Sequence, residues 1–235
     1  MKILAVDTST NVASCAIMDD EKLLGEFIVN DNITHSQKLL PLISDTLSRC
    51  KIDIKDIDVF AVANGPGSYT GLRIGVSTIN GLAQAMEKPV IGVSSLQSLA
   101  QNIIVSEKLI VPLIDARRER AFTAIYKTLN GFNVILEPDV LEMNELLDIL
   151  NQKQEDVIFV GEGTDVYKDR IVEVLGERAY FAPKNLNIAK ASSAAEIAIR
   201  KARNGETTSY FDLTPDYLRE AQAQREYDEK MSNKS

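Results

Sequence analysis

Residues 2–7, 11–18 and 22–29 carry dense apolar runs broken by short polar turns, and read as three strands. Thr8-Ser9-Thr10-Asn11 and Asp19-Asp20-Glu21 supply the turn chemistry between them. The period then changes. Leu39, Leu40, Ile43 and Leu47 form a helical stripe from about Ser36 to Cys50, and Pro41 kinks that helix or marks where its regular part begins. A strand at 57–63, a helix at 70–86, a short strand at Val90–Val93 and a helix at 94–105 follow. Three meandering strands and then alternating helix and strand predict a mixed α/β sheet with helical cover.

The pattern restarts at Lys108 to Asp115. Ile3-Leu-Ala-Val-Asp7 aligns with Val111-Pro-Leu-Ile-Asp115 at an offset of 108, and the match extends through Ala13/Ala121, Ala16/Ala124 and Ile17/Ile125. Both halves open on a hairpin with an aspartate ending its first strand. Such a repeat implies two related lobes with Asp7 and Asp115 facing a cleft. The second half continues with a strand at 132–140, a helix near Glu142 to Leu150 and a strand at 156–160. Gly161-Glu162-Gly163-Thr164-Asp165 leads into a helix to about Leu175, and a long helix runs from about Ala189 to Arg203, ended by Asn204-Gly205. The expected organisation is a first lobe over 1–105, a second over 106–219 and a polar tail over 220–235.

Composition narrows the classes. A chain of 235 residues with 45% hydrophobic content builds real cores. No apolar run reaches the 18 or more residues of a membrane span. The start, Met1-Lys2-Ile3-Leu4-Ala5-Val6-Asp7, turns acidic too early for a signal peptide, which predicts a cytoplasmic protein with no membrane partner. Cys15 and Cys50 lack metal-type spacing and read as buried, reduced thiols. A net charge of −8 argues against strong nucleic-acid binding by this chain alone, because such binding rests on cations neutralising phosphates. Arg117, Arg118 and Arg120 are the local basic exception, most simply a solvated turn.

The run Asn64-Gly65-Pro66-Gly67-Ser68-Tyr69-Thr70-Gly71-Leu72-Arg73-Ile74-Gly75 is the most specific feature. It joins an apolar strand to a helix. Gly65, Pro66, Gly67 and Ser68 form a turn whose backbone N–H groups suit an anion or a tight protein contact at the positive end of the helix dipole. Neither common phosphate-loop pattern is present. Gly71, Gly75 and Gly81 lie inside the helix, and each glycine there costs about 1 kcal/mol against alanine. Gly71, Gly75 and Thr78 share a face on which a second backbone can approach. That face packs either on the protein's own sheet or on another subunit.

At these residues a family becomes recognisable. The paired lobes resemble the actin-like ATPases, a two-lobed, ribonuclease H-like α/β fold with duplicated mixed sheets that includes sugar kinases, acetate kinase and the Hsp70 chaperones. Four local patterns look like the TsaB (YeaZ-like) family: Ile3 to Thr10, His35 to Pro41, the 64–75 run with its helix, and Pro215-Asp216-Tyr217-Leu218-Arg219. They span nearly the whole chain. The resemblance implies a role in threonylcarbamoylating the adenosine beside the anticodon of tRNAs that read codons starting with A. In that family TsaB holds the larger catalytic relative TsaD through its first lobe, with the small ATPase TsaE in the wider complex. The same surface makes a homodimer when TsaD is absent. The implied partner-binding residues are Ser36, Leu39, Leu40 and Ile43 on one helix, with Tyr69, Thr70, Gly71, Arg73, Gly75 and Thr78 on the next.

The residues themselves argue against catalysis. The catalytic relatives bind metal through two histidines four apart, and this chain has one histidine, His35, which more simply helps begin the first helix. After Asp115 come Ala116, Arg117, Arg118 and Glu119, whose bulk is expected to fill a cleft where an ATPase needs small residues. Arg117 is also of a type that clamps phosphate. Asp7, Thr8, Ser9, Asp115 and Arg117 therefore read as a vestigial cleft, and Gly161-Glu162-Gly163 is a poor adenosine loop. No cofactor is expected on the isolated chain, with ATP or ADP entering only in the assembled complex. Two alternatives stand beside the scaffold: a small kinase using Asp7 and Asp115 around Mg-ATP, and a direct tRNA binder. Gly-x-Ser-x-Gly is absent, so an elbow serine nucleophile is not supported.

Overall fold

The structure is a computed structural model describing residues 1–31, 34–129 and 131–218. The first half contains β1 (Lys2–Asp7), β2 (Ala13–Asp19), β3 (Leu23–Val29), α1 (His35–Cys50), β4 (Val59–Gly65), α2 (Tyr69–Met86), β5 (Val90–Ser94) and α3 (Ser95–Gln101). The second contains β6 (Leu109–Asp115), β7 (Arg120–Lys127), β8 (Asn133–Glu142), α4 (Met143–Lys153), β9 (Val157–Val160), α5 (Gly163–Leu175), β10 (Ala179–Phe181) and α6 (Ala191–Arg203).

The strands form two five-stranded sheets, ordered β3-β2-β1-β4-β5 and β8-β7-β6-β9-β10. In each, an antiparallel three-strand meander continues into two parallel strands. The duplication is therefore topological. Its register corrects the sequence alignment. Asp7 pairs with Ser14, and Asp115 pairs with Ala121. The second connection is one residue shorter, so the offset falls from 108 before the turn to 107 after it. Ala13/Ala121, Ala16/Ala124 and Ile17/Ile125 are thus not structural equivalents.

The two faces of each strand read off its period of two. In β1, Leu4 and Val6 join a core with Leu39 and Ile43 of α1 and with Val76 and Ile79 of α2. Ile3 and Ala5 point the other way and pack on Ala191, Ala194, Ala195 and Ala198 of α6. These alanines follow the i, i+3, i+4, i+7 row of one helix face, and their small size lets α6 lie close to the sheet. The second sheet is covered by α4 and α5 through Leu146, Leu147, Tyr167 and Ile171. Its other face meets Leu96 and Leu99 of α3. Because α3 also packs on α6, these two helices join the lobes.

The expected split at 105/106 separates the sheets but not the helices. α3 lies on the second sheet and α6 on the first. Residues after α6 return to the first lobe as a strap. Thr208 bridges Val90, Leu213 enters the first core, Asn80 Nδ2 donates to the Leu213 carbonyl, and the Asp216 N–H donates to the Asn64 carbonyl at 2.7 Å. Two further differences have local causes. The helix expected over 94–105 ends at Gln101, where Asn102 turns its amide to the carbonyls of Leu186 and Ile188 ahead of α6. α1 begins at His35 and runs on through Pro41. Arg219 and the expected tail over 220–235 lie outside the described residues.

Candidate functional site

Two features meet at the first lobe: the turn after β1 with the cleft beyond it, and the outer face of α1 and α2. The turn is closed on the protein itself. Asp7 Oδ1 accepts the Ser9 N–H at 2.9 Å and the Ser9 hydroxyl at 2.6 Å. Thr8 Oγ1 donates to the Gly71 carbonyl at 2.8 Å. The Ser9 carbonyl accepts the Ser68 N–H at 2.7 Å, and Ser68 Oγ caps α2 by accepting the Gly71 N–H at 3.2 Å. The Gly65–Ser68 turn thus spends the Ser68 N–H on the protein's own fold, in a tight contact with the β1–β2 turn. Its glycines fit backbone to backbone. A Cβ on Gly67 would lie 2.3 Å from the Ser9 carbonyl oxygen, and one on Gly65 2.2 Å from that of Asp216.

The glycine stripe of α2 faces inward. A Cβ on Gly71 would meet the Thr8 carbonyl oxygen at 2.0 Å, and one on Gly75 would meet Thr8 Oγ1 at 2.5 Å. Gly71, Gly75, Leu39 and Ile43 are buried in the first lobe. The expectation that Gly71, Gly75 and Ile43 present themselves to a partner helix is corrected: the glycines pack on the lobe's own β1–β2 turn, and Ile43 lies in its core. His35 belongs to the same knot. Its Nε2 lies 2.8 Å from the Thr10 carbonyl, its ring touches the Gly71 position, and burial holds its pKa below the usual value.

Glu162 lies within electrostatic range of Asp115 and, more weakly, of Asp7. Asp7 is fully buried, Oδ2 has no partner among the described residues, and burial raises its pKa to about 6 against the opposing Ser9 contacts. Asp115 Oδ1 accepts the Arg117 N–H at 2.9 Å and the Tyr167 hydroxyl at 2.9 Å. Glu162 is raised by burial first, with a backbone contact from Asn11 opposing and the negative charge of Asp115 adding. Sequence reasoning dismissed this carboxylate as part of a poor loop. Gly161 and Gly163, beside it, pack on Leu113. Arg117 does not fill the cleft: its side chain is 86% exposed and lies 3.4 Å from Asp115 Oδ2. Arg117, Arg118 and Glu119 all adopt left-handed backbone, with φ of 66°, 57° and 59°. Among the described residues, no group of three or more His, Cys, Asp or Glu is placed to hold a metal ion. Cys15 and Cys50 are free, the first buried and the second half-buried.

The outer face is different in kind. Ser36, Leu39 and Leu40 of α1 and Arg73, Ile74, Ser77 and Thr78 of α2 line a groove of about 340 Å³. The spacings i, i+3, i+4 on α1 and i, i+4 on α2 put them on one side of each helix. Leu40 is 55% exposed. Tyr69 and Thr70 are exposed at the start of α2. Of the sequence-picked partner residues, the structure gathers Ser36, Leu39, Leu40, Arg73 and Thr78 here. It adds Ile74 and Ser77, which lie one helical turn before Thr78 and after Arg73.

Among solved structures, the chain superposes on an uncharacterized protein with similarity to peptidase YEAZ from Pseudomonas aeruginosa, with a TM-score of 0.79 and 26% identity over 93% of this chain and 99% of that one. Component A of the (R)-2-hydroxyglutaryl-CoA dehydratase of Acidaminococcus fermentans shares the fold alone, at a TM-score of 0.51 and 12% identity over 86% of this chain and 99% of that one. Two duplicated five-stranded lobes, each opening on an aspartate-ended hairpin, define a two-lobed α/β protein of the actin-like class. A family model described as "TsaD: tRNA N6-adenosine threonylcarbamoyltransferase" matches residues 23–227. The tRNA threonylcarbamoyladenosine biosynthesis protein TsaB of Bacillus subtilis is 34% identical over 228 residues, covering 97% of this chain and 98% of that one, and its Escherichia coli namesake is 29% identical over 230 residues, covering 93% and 95%. The chain belongs to the TsaB family of tRNA threonylcarbamoyladenosine biosynthesis proteins.

Proposed function

We propose that this chain is a non-catalytic docking subunit for threonylcarbamoylation of the adenosine beside the anticodon in tRNAs reading codons that start with A. It acts by holding a TsaD-type catalytic subunit against the α1–α2 face, with TsaE joining the larger complex. The observation that carries the reading is the groove, an apolar seam with Leu40 open to solvent and few charges. Exposed leucine between two helices suits a helix from another chain laid along it. Without that subunit, a second copy covers the face. The tRNA is gripped by the complex, since the net charge of −8 opposes a phosphate backbone. The work is cytoplasmic.

The cleft supports the non-catalytic part. Glu162 feels the negative charge of Asp115 and, more weakly, of Asp7, so a polyphosphate there meets negative charge with Arg117 as the near cation. The isolated chain is therefore expected to bind no ATP or ADP, nucleotide entering only with the assembled complex. Micromolar Mg-ATP binding by calorimetry would favour the kinase alternative instead.

The test is reconstitution with a TsaC-type adenylate synthase, TsaD, TsaE, tRNA, threonine, bicarbonate and ATP, scoring modified adenosine. Leu40→Asp is expected to leave the fold intact, because Leu40 is exposed, and to abolish both TsaD binding and modification. Full modification without this chain would sink the reading.

A further inference from the structure

The strap ends on the docking face. Tyr217, 144 residues beyond Arg73 in sequence, accepts the Arg73 Nε–H through its hydroxyl at 2.9 Å. Its ring stacks on Tyr69 with centroids 5.0 Å apart, and the Arg73 guanidinium lies over the Tyr69 ring at 4.2 Å. Arg73 also lines the groove. The three side chains thus form an exposed, ordered cluster continuous with the groove. Nothing in the lobe's own core needs it: Tyr69, Arg73 and Tyr217 are all exposed.

We infer that Arg73, held by Tyr69 and Tyr217, is the polar anchor of the docking face, and that its ligand is a carboxylate of the partner protein. This rests on the docking reading above and names the chemistry at one end of it. A guanidinium presents five N–H donors in a planar fork. Here Nε is taken by Tyr217 and one face is covered by Tyr69. The two terminal nitrogens have no partner among the described residues, and their plane is fixed before binding. A fork held this way loses less freedom on engaging a carboxylate than a free arginine does. Arginine and tyrosine beside an apolar groove are also the residue types that dominate binding energy in protein interfaces.

The charge pattern selects the occupant. Among the groove-lining residues Arg73 is the one charged group, and no carboxylate is present. A two-fold pairing of this face with a second copy sets the same patch against itself and so offers Arg73 no carboxylate from the groove. A different protein that supplies a carboxylate answers the cation. The anchor therefore favours the heterologous partner over the homodimer, which stays the weaker pairing.

The test is calorimetric titration of the TsaD-type protein from the same organism into four versions of the full chain, across a range of NaCl concentrations. Arg73→Met keeps the length and removes the charge. It is expected to weaken binding by about tenfold or more and to flatten the salt dependence. Tyr217→Phe keeps the ring and removes the hydroxyl. It is expected to weaken binding severalfold, keep the salt dependence and leave the melting temperature unchanged, which a merely structural role for Tyr217 does not produce. Leu40→Asp is the control for the groove. If Leu40→Asp abolishes binding while Arg73→Met and Tyr217→Phe bind like wild type, the anchor is wrong and the groove stands. If Leu40→Asp also binds normally, the docking face itself falls, and the anchor with it.

Discussion

Gly71→Ala is expected to destabilise the isolated protein by about 3 kcal/mol or more, as one methyl group is driven into a backbone carbonyl. Its Cβ would sit 2.0 Å from the Thr8 oxygen, and that oxygen belongs to a turn locked by Asp7, Ser9 and Ser68. Alanine gains about 1 kcal/mol of helix propensity, which is too little to offset the clash. Gly75→Ala is expected to cost less. Its obstacle is a side-chain oxygen, Thr8 Oγ1 at 2.5 Å, with Val62 at 3.3 Å. Pairing it with Thr8→Ala removes the obstacle at the loss of one buried hydrogen bond, worth about 1 kcal/mol, so the two changes interact favourably in a double-mutant cycle. Gly81 is the internal control. It is exposed and a Cβ there meets nothing within 4 Å, so Gly81→Ala is expected to stabilise by up to about 1 kcal/mol. Urea midpoints read all three. Equal midpoints for Gly71→Ala and Gly81→Ala would show that the α2 stripe does not pack on the turn.

That series also marks where the sequence stops being legible. Gly71 and Gly75 on one helix face announce a close approach, but composition does not say what approaches. The answer lies in Thr8, more than sixty positions away, and the groove proposed for docking lies on the neighbouring face, lined by Arg73, Ile74, Ser77 and Thr78. Leu39 and Ile43 look like Leu40 in the sequence, yet only Leu40 is exposed, because a stripe wide enough to cover a core also has an edge. The strands were readable for the opposite reason. Leu4 and Val6 alternate with Ile3 and Ala5, and both faces are buried, so the whole run had to be apolar. The alanines of α6 give a clear stripe, but nothing local tells them to cross back to the first sheet. Tyr217 was marked by the family pattern around it, and its contact with Arg73 needed the strap that delivers it there.

The second large effect concerns Asp7. Its carboxyl is fully buried, Oδ2 has no partner among the described residues, and its pKa stands at about 6 against 3.8 for an ordinary aspartate. The folded protein therefore holds the proton more tightly than the unfolded chain. Asp7's contribution is most favourable below about pH 4, and it is lost as pH rises through about 6. A shift of about two units corresponds to about 3 kcal/mol of penalty at pH 7.5. Asp7→Asn is expected to keep the two Ser9 contacts, because an amide oxygen accepts as Oδ1 does, and to remove the buried charge. The variant should thus gain on wild type by up to about 3 kcal/mol between pH 4 and pH 7.5, offset at every pH by a constant cost of about 1–3 kcal/mol for the unpaired amide N–H that replaces Oδ2. Taking the difference between the two proteins cancels carboxylates of the opposite sign, such as Asp19 and Asp20, whose pKa values are lowered and whose contributions fade in acid. Unfolding measured across that pH range decides it, and a difference that stays flat with pH would show that Asp7 is not the titrating group. Since asparagine serves the turn as well, the fold itself does not require a charge at this position. The same variant in the reconstituted modification assay then separates a relic from a working group. Full modification by the folded variant leaves Asp7 with no role in the reaction, whereas a loss of modification by that folded variant assigns its charge to the assembled complex.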